Sequence, residues 1–365
     1  MNNTLIPSDY RKSNKHFPNF SRPSLAGYFS VDKDRNVVHN LSQLRFLHTP
    51  LITRNIGFNL NQGINTALSK DNSTDEKIDH LLKFFIHNPE LLYDYNEKTR
   101  LKVPNVDIVC FRGLLTTLMC TPFESRDDWN ILAHNWNDTV YLCAWESEER
   151  KEQKERDLKF HKKFMYWGYK FEQYLLSRDP ETAPNTTEPV IETEEFCGVF
   201  KSKLNNLKLL YGAEMDGIDI SKSSFNYKDL KNARFVELKT NRIMTTERQY
   251  QNFNKFKTIK WWCQSFLVGI DEILCGCRDD NGILLEIKSY KVKDIPKTNN
   301  NSWDATGCMN FCYDVLEHMY RISKSQPNQT ILFSWNPGGH VSHKVDNFKA
   351  FLPSWYFTAM SQHLD

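Results

Sequence analysis

The alternation of apolar and polar positions divides the chain into short runs of period two and longer runs of helical period. The clearest period-two segments lie between Leu209 and Lys239, where LLYGAEMDGIDI is followed by a polar connection and then by RFVELKT. Strand alternation puts Glu214 and Asp216 on one face of the first segment. In the second, Val236 and Leu238 point one way while Glu237 and Lys239 point the other. Read as two adjacent strands, these runs gather three carboxylates and one ammonium into a single patch. FCGVFKSKL, from Phe196, is a further strand that leads through a turn at Asn205 and Asn206 into this stretch.

The remaining pattern is mixed. LAGYFSVDKDRNVV, from Leu25 to Val38, reads as a hairpin with Arg35 at its turn, where the local pattern implies an exposed charge. Residues 48 to 72 read as a long loop. Asp71-Asn72-Ser73-Thr74 caps a helix over DEKIDHLLKFFIH, with Ile78, Leu81, Leu82 and Phe85 as its apolar stripe. Glu76 falls in the first turn of that helix, where a carboxylate suits the helix dipole. WNILAHNW and TVYLCAWE are strands, and the charged run from Glu146 to Lys163 is a solvated helical face or loop. A helix follows over FMYWGYKFEQYLL, its apolar face centred on Phe164, Gly168, Phe171 and Leu175. SRDPETAPNTTEPVIETEE is a surface loop. A long helix runs from roughly Thr246 to Leu267 with Phe253, Phe256, Cys263 and Leu267 on one stripe. Lys260 and Gln264 fall on that same stripe, so the helix either borders a polar site or carries a snorkelling lysine and a core glutamine bonded to backbone. DEILCGCRDDNGILLEIKSY is a hairpin, CMNFCYDVLEHMYRI an amphipathic helix, and ILFSW a strand before a Pro337-Gly338-Gly339 turn. Residues 1–24, with Pro7, Pro18 and Pro23, form an irregular arm, and residues 25–365 a single domain.

Composition narrows the class. The 365 residues are 40% hydrophobic and 13% aromatic, which excludes a disordered chain. The net charge of +2 means that a polyanion has to be met by local clustering of cations, not by an overall field. Nine cysteines lack paired CxxC spacing, which fits buried free thiols in a reducing compartment and not a zinc site. The N-terminal sequence has no apolar signal core and no run is long enough to span a membrane, so a soluble intracellular protein is expected.

The acidic patch carries the candidate chemistry. Carboxylates at that density repel one another, and a divalent cation with hard oxygen ligands holds them together. Lys239 would orient or deprotonate a metal-bound water, or neutralise charge on a phosphate. The alternative is a pair of amphipathic strands with solvated outer charges. Arg112 interrupts the apolar run VDIVCFRGLLTTLMCTPF, so it either turns outward at a strand end or meets an anion, which could be a phosphate or a protein carboxylate. Glu172 lies on the flank of an apolar helix face, as a fourth carboxylate for the patch or as one half of a buried salt bridge. No phosphate-cradling glycine loop or nucleophile elbow is present.

The order of acid, acid-x-Lys resembles the metal-dependent nucleases of the PD-(D/E)xK type. FRG, GYKFE, GAEMD, FVELKT and KWWCQSFLVG, in that order, resemble more narrowly the DXO family of eukaryotic decapping exoribonucleases. FSVD, DHLL, TPFE, FCGV, CMNFC, LFSWNPGG and AFLPSWY extend the likeness over nearly the whole chain. It implies an α+β fold of two twisted mixed β-sheets with flanking helices and a PD-(D/E)xK nuclease-like core. Glu172, Glu214, Asp216, Glu237 and the Leu238 carbonyl would bind Mg²⁺ or Mn²⁺, two ions during catalysis. Lys239 and Gln264 would hold the scissile phosphate and attacking water. Phe111, Arg112 and Gly113 would contact the RNA 5′ end, and Arg35, Glu76 and Cys197 would touch substrate. Phe111 stands where animal members often have tryptophan. The implied activity is hydrolysis at RNA 5′ ends bearing a triphosphate, an incomplete cap, an NAD cap or a monophosphate, with 5′-to-3′ degradation afterwards. The family also implies a nuclear location and, in its fungal branch, a larger 5′-to-3′ exoribonuclease as partner. The rival expectations are a DNA exonuclease on the same core and a non-catalytic stimulatory partner.

Overall fold

The computed structural model describes residues 4–12, 14–48, 52–71, 74–98, 100–222, 230–299, 301–345 and 351–363. Among the described residues, nine strands form one mixed sheet in the order Ser342–Val345, Thr330–Trp335, Trp129–Trp136, Thr139–Ala144, Ile108–Phe111, Leu207–Glu214, Glu195–Leu204, Ser24–Val31 and Val37–Val38. A second mixed sheet has the order Leu176–Ser177, Phe46–Leu47, Gly217–Ile218, Phe235–Arg242, Glu272–Arg278, Ile283–Lys291 and Arg54–Asn59. Tight turns close the hairpins that the sequence announces. Asn205 has φ 51° between Glu195–Leu204 and Leu207–Glu214, and Gly282 has φ 83° before Ile283–Lys291.

Helices cover both faces of each sheet. On the nine-stranded sheet, Ile108, Cys110, Leu209 and Tyr211 pack with the helices Arg112–Cys120 and Ala305–Ser325. The other face, through Val109, Leu210 and Tyr141, packs with Asp79–His87 and Ser354–Ser361. In the second sheet, Val236 and Leu238 face Trp167, Phe171 and Leu175 of the Glu148–Leu175 helix. Ile273, Cys275 and Cys277 share a cluster with Trp261, Trp262 and Cys263 of the Thr258–Phe266 helix. Phe235–Arg242 is therefore held from both sides, and the face opposite Val236 and Leu238 presents Glu237 and Lys239. All nine cysteines are buried and none forms a disulfide. The N-terminal arm lies on this body: Tyr10 packs edge-on against Phe311 at 5.2 Å and donates to Asp314 at 2.6 Å.

Several expectations are corrected. The stretch 48–72 contains the strand Arg54–Asn59, which pairs antiparallel with Ile283–Lys291; its short apolar period, Ile56 and Phe58 alternating with exposed positions, packs against the cluster under the second sheet. The helix expected from Asp75 begins at Asp79, with Ile78 at its N-cap and no capping side chain; residues 72 and 73 of the expected cap lie outside the described residues. Glu76 thus precedes the helix and does not sit in its first turn. The helix expected from Phe164 begins at Glu148, because Ser147 caps it and its charged first half is supported by pairs such as Arg156 with Glu152 and Lys159 with Glu155. Its buried face is centred on Trp167 and Phe171, while Phe164 remains 47% exposed. In the long helix near residue 250, a π turn over Phe253–Lys257 breaks the expected stripe, so Phe253 is buried while Phe256 is exposed; Lys260, in the regular helix beyond it, is exposed as well.

Gly276 shows how closely the second sheet meets the long helix. A Cβ there would lie 2.7 Å from Phe171 Cε2 and 2.9 Å from Leu284 Cδ1. Gly276→Val is expected to destabilise the fold by about 1–3 kcal/mol through overpacking. A denaturant midpoint at the wild-type value would show that the helix yields freely.

Candidate active site

The two sheets meet at the carboxyl ends of the parallel neighbours Ile108–Phe111 and Leu207–Glu214. Phe111 pairs with Gly212, and its ring lies so close that a Cβ on Gly212 would be 2.8 Å from Phe111 Cε1. Cys197 stands opposite Glu214 in the antiparallel register, so Glu195, Cys197 and Glu214 share one face of this sheet. The strand ends at Glu214, and after Met215 the chain enters the second sheet at Gly217–Ile218, which pairs with Phe235 and Val236. The first acidic stretch is thus divided between the sheets: Glu214 ends a strand of the nine-stranded sheet, while Gly217–Ile218 lies beside Phe235–Arg242 in the second, as adjacent strands were expected to. The antiparallel pairing of Gly217 with Val236 and Ile218 with Phe235, continued by one residue, sets Asp216 opposite Glu237. The polar connection at 223–229 lies outside the described residues.

Hydrogen bonds fix this junction. Asp216 Oδ2 accepts from the Leu238 amide at 2.6 Å. Lys239 Nζ donates to Glu237 Oε1 at 2.5 Å. Arg112 opens the Arg112–Cys120 helix, and its Nη1 lies 3.4 Å from Glu237 Oε2 and 3.4 Å from the Gln264 carbonyl oxygen. The anion that the buried arginine demands is therefore Glu237, which is 2% exposed. Gly113, one residue into the helix, is exposed, and Gln264 is half-buried on Thr258–Phe266.

The charges divide unequally. Burial acts to raise the Glu237 carboxyl, but Lys239 and Arg112 outweigh it and hold the group below its ordinary range. The Lys239 ammonium is in turn raised against its own burial by Glu237 and Asp216. Asp216 is pushed up to about 7, first by its enclosure and then by Glu237, with Lys239 and the Leu238 amide opposing. Glu214, whose side chain is solvent-accessible on the cavity wall, is pushed up to about 8 by the protein packed around its carboxyl and then by Glu195 and Asp216. Glu172, on the Glu148–Leu175 helix, is raised well above its ordinary value by burial and then by Asp216 and Glu214. The mutual influence of Glu172, Glu214, Asp216 and Glu237 brings the predicted carboxylates into one electrostatic cluster. Among the described residues, however, no three His, Cys, Asp or Glu side chains close around a single point. Glu237 is turned onto its two cations and Asp216 onto a backbone amide.

Arg35 and Glu76 are also brought together, against the local reading of both. Arg35 sits at φ 65° in its turn, but its guanidinium is half-buried and donates from Nε and Nη2 to Glu76, each at 2.7 Å. Nη1 donates to Glu195 at 2.7 Å, and Lys70 lies 3.1 Å from Glu195 and 3.3 Å from Glu76. These pairs outweigh burial and hold the Glu76 carboxyl far below its usual range. Glu195 and Lys70 were not among the sequence candidates. Alternation from Cys197 reaches Glu195, whereas nothing in the stretch read as a loop distinguishes Lys70. A cavity of about 470 Å³ opens beside Glu172, Glu214 and Asp216, with Tyr169, Arg45 and Arg178 on its walls.

Comparison with known proteins agrees with this architecture. Residues 21–357 match the family described as RAI1 like PD-(D/E)XK nuclease. The decapping and exoribonuclease protein of Xenopus laevis is 33% identical, over 94% of this chain and 88% of its own. Scheffersomyces stipitis Rai1, solved in complex with (3′-NADP)⁺ and calcium ion, superposes with a TM-score of 0.83 at 22% identity, covering 98% of this chain and 99% of that one. Candida albicans Rai1 in complex with pU5-Mn²⁺ gives 0.81 at 20% identity over 99% of each chain. With the family match spanning most of its length, the chain belongs to the RAI1-like PD-(D/E)XK nucleases.

Proposed function

We propose that this protein hydrolyses RNA at its 5′ end with a divalent cation, Mg²⁺ or Mn²⁺. It would cut the first internucleotide linkage to release an incomplete or NAD cap, remove pyrophosphate from triphosphate ends, and degrade the resulting 5′-monophosphate RNA from 5′ to 3′. The observation that carries this reading is the convergence of Glu172, Glu214, Asp216 and Glu237 with Lys239 and Arg112 at one junction. The name of the Xenopus relative, and the pU5-Mn²⁺ and (3′-NADP)⁺ complexes of the fungal ones, support the substrate class.

The donor set fits a hard divalent cation. Carboxylates of Glu172, Glu214, Asp216 and Glu237, with the Leu238 carbonyl, are oxygen ligands of the kind Mg²⁺ and Mn²⁺ take. Three of the four are driven toward protonation by burial and each other, a strain that a bound cation removes. When bound, such a cation supplies Lewis-acid polarisation of phosphoryl oxygens and a lowered pKa for its water. Glu237 and Asp216 would have to turn from Lys239 and the Leu238 amide to reach it. Lys239, so released, would face the charge that develops on the phosphate. Arg112 and the amide end of its nine-residue helix would hold a 5′ phosphate beside Phe111 and Gly113, using both guanidinium and helix dipole. Gln264 would orient the attacking water, and Arg35, Glu76 and Cys197 would contact the terminal nucleotide.

Product analysis tests the reading. RNAs labelled at the 5′ end and carrying triphosphate, monophosphate, unmethylated cap, methylated cap or NAD should yield cap-containing products and 5′-monophosphate RNA with Mg²⁺ or Mn²⁺ but not with EDTA. Digestion of single-stranded DNA alone would indicate a DNA exonuclease, and no cleavage of any substrate a stimulatory partner. Asp216→Ala and Glu237→Ala should abolish every activity together, and Lys239→Ala should lower kcat by about 10²- to 10³-fold. Selective loss of one activity would require a second site.

A further test does not need turnover. Because folding raises Asp216 to about 7 and Glu214 to about 8, the folded metal-free protein binds protons more tightly than the unfolded chain. Their contribution to stability is complete below the ordinary carboxylate pKa and is lost as pH rises through those folded values. The Tm gained on adding Mn²⁺ should therefore be larger at a pH above 8 than at pH near 6, and Asp216→Asn should shrink the difference. An equal gain at both pH values would mean that the cation binds elsewhere.

A further inference from the structure

The Gln264 carbonyl lies 3.4 Å from Arg112 Nη1, which sets the Thr258–Phe266 helix beside the junction. Lys260 lies one turn back and is exposed. One turn further, the π segment Phe253–Lys257 changes which side chains face inward. In an unbroken α-helix Phe253 and Phe256 would share a face. Here Phe253 is 6% exposed and packs edge-on against Trp261 at 5.1 Å, whereas Phe256 is turned out and is 37% exposed. Such π turns recur at functional sites.

Two cations from different segments lie over the ring in cation–π contacts. Arg126 Cζ lies 5.6 Å from its centroid and Lys255 Nζ 5.2 Å. Arg126 is set by Glu124, whose carboxylate accepts from the Ser125 and Arg126 amides at 2.8 and 2.9 Å. Lys260 lies close enough to help hold that carboxyl below its ordinary range, after the backbone amides have overcome its burial. Gln264, Lys260 and Phe256 thus form a line that runs about 12 Å from the cleft at 1.5 Å per residue. A partly exposed ring that gathers cations from two segments, on the helix that also carries Gln264, has the make-up of a single-strand platform. The ring offers a π face to any base and the cations answer the phosphates.

We propose that single-stranded RNA on the 3′ side of the cleaved linkage leaves the cleft past Gln264 and lies on Lys260, Phe256, Arg126 and Lys255, with one base stacked on Phe256. The inference rests on the RNA hydrolase reading and extends it to the body of the substrate. Contact of this kind ignores base identity, as a nuclease that proceeds through any sequence requires. It also keeps hold of the RNA between cuts.

The test compares a 5′-monophosphorylated dinucleotide with a long single-stranded RNA, using the full chain and Mn²⁺. For wild type, KM should fall with RNA length. Phe256→Ala should raise KM for the long RNA by about tenfold, with a defect that grows with length, since one stacked base contributes about 1–3 kcal/mol. Arg126→Glu with Lys255→Glu should do the same and flatten the dependence of KM on salt. Lys159→Glu, the same charge change on the exposed half of the long helix, should leave the length dependence intact. Variants that keep the wild-type KM for long RNA overturn the inference while leaving the hydrolase reading standing. So does a defect confined to capped substrates, or loss of a bound protein partner with RNA kinetics unchanged. A wild-type protein that cuts no RNA overturns both.

Discussion

Four carboxylates share one junction with two cations that satisfy mainly one of them. Glu237 takes both Lys239 and Arg112, while Asp216 has the Leu238 amide and burial and mutual repulsion dominate Glu172, Glu214 and Asp216. The Arg112–Glu237 pair also links the two sheets, because the arginine follows a strand of one and the glutamate lies within the other. Taking two charges out of water offsets much of their attraction, so this pair is a weak reason for the fold to exist. Removing one partner, however, leaves the other buried and alone, at a cost of about 3–5 kcal/mol. The junction is thus expensive to disturb without being a main source of stability. That is the character expected of a site kept for chemistry.

The apolar layers supply what the charges do not. Phe235–Arg242 lies between the Glu148–Leu175 helix on one face and the Thr258–Phe266 helix on the other. Its alternation gives Val236 and Leu238 to the first and leaves Glu237 and Lys239 at the junction. The close approaches at Gly212 and Gly276 belong to the same arrangement, since a side chain at either would push Phe111 or Phe171 out of place. Position at the site is therefore set by packing on the far side of each strand. A carboxylate cluster that resists its own assembly needs a frame of that stiffness.

The sequence carried local information well and crossings poorly. RFVELKT gives its two faces directly, and the Asn205 and Gly282 turns are written in the residues that tolerate positive φ. The step between sheets after Glu214 leaves no such mark, because GAEMDGID alternates as a single strand would. Arg35 and Glu76 looked like a turn charge and a helix-dipole residue; only the fold, by bringing distant segments together, makes them a bidentate pair. The likeness to a nuclease family grouped them where the local pattern did not. The π segment was invisible for a different reason. Helical periodicity assumes a constant turn, and a single widened turn rotates Phe256 away from the buried Phe253 with which it was grouped.

The sharing of Glu237 has a consequence for how substrate and cation would be sensed. Arg112 cannot give its full donor set to a 5′ phosphate while it also holds Glu237, and Glu237 cannot turn to a cation while it holds Arg112 and Lys239. An anionic 5′ end that draws Arg112 away removes one cation from Glu237 and so favours a divalent ion in its place. By linkage the ion, by taking Glu237, releases Arg112 to the phosphate by the same factor. Asp216 joins this exchange through the Leu238 amide, which ties it to the backbone between Glu237 and Lys239. Each ligand thus lowers the cost of binding the other, and without both the junction remains closed on itself. In a site that accepts several kinds of 5′ end, this coupling would bind chemistry to the one feature those ends share, an anionic group at the amide end of the Arg112 helix.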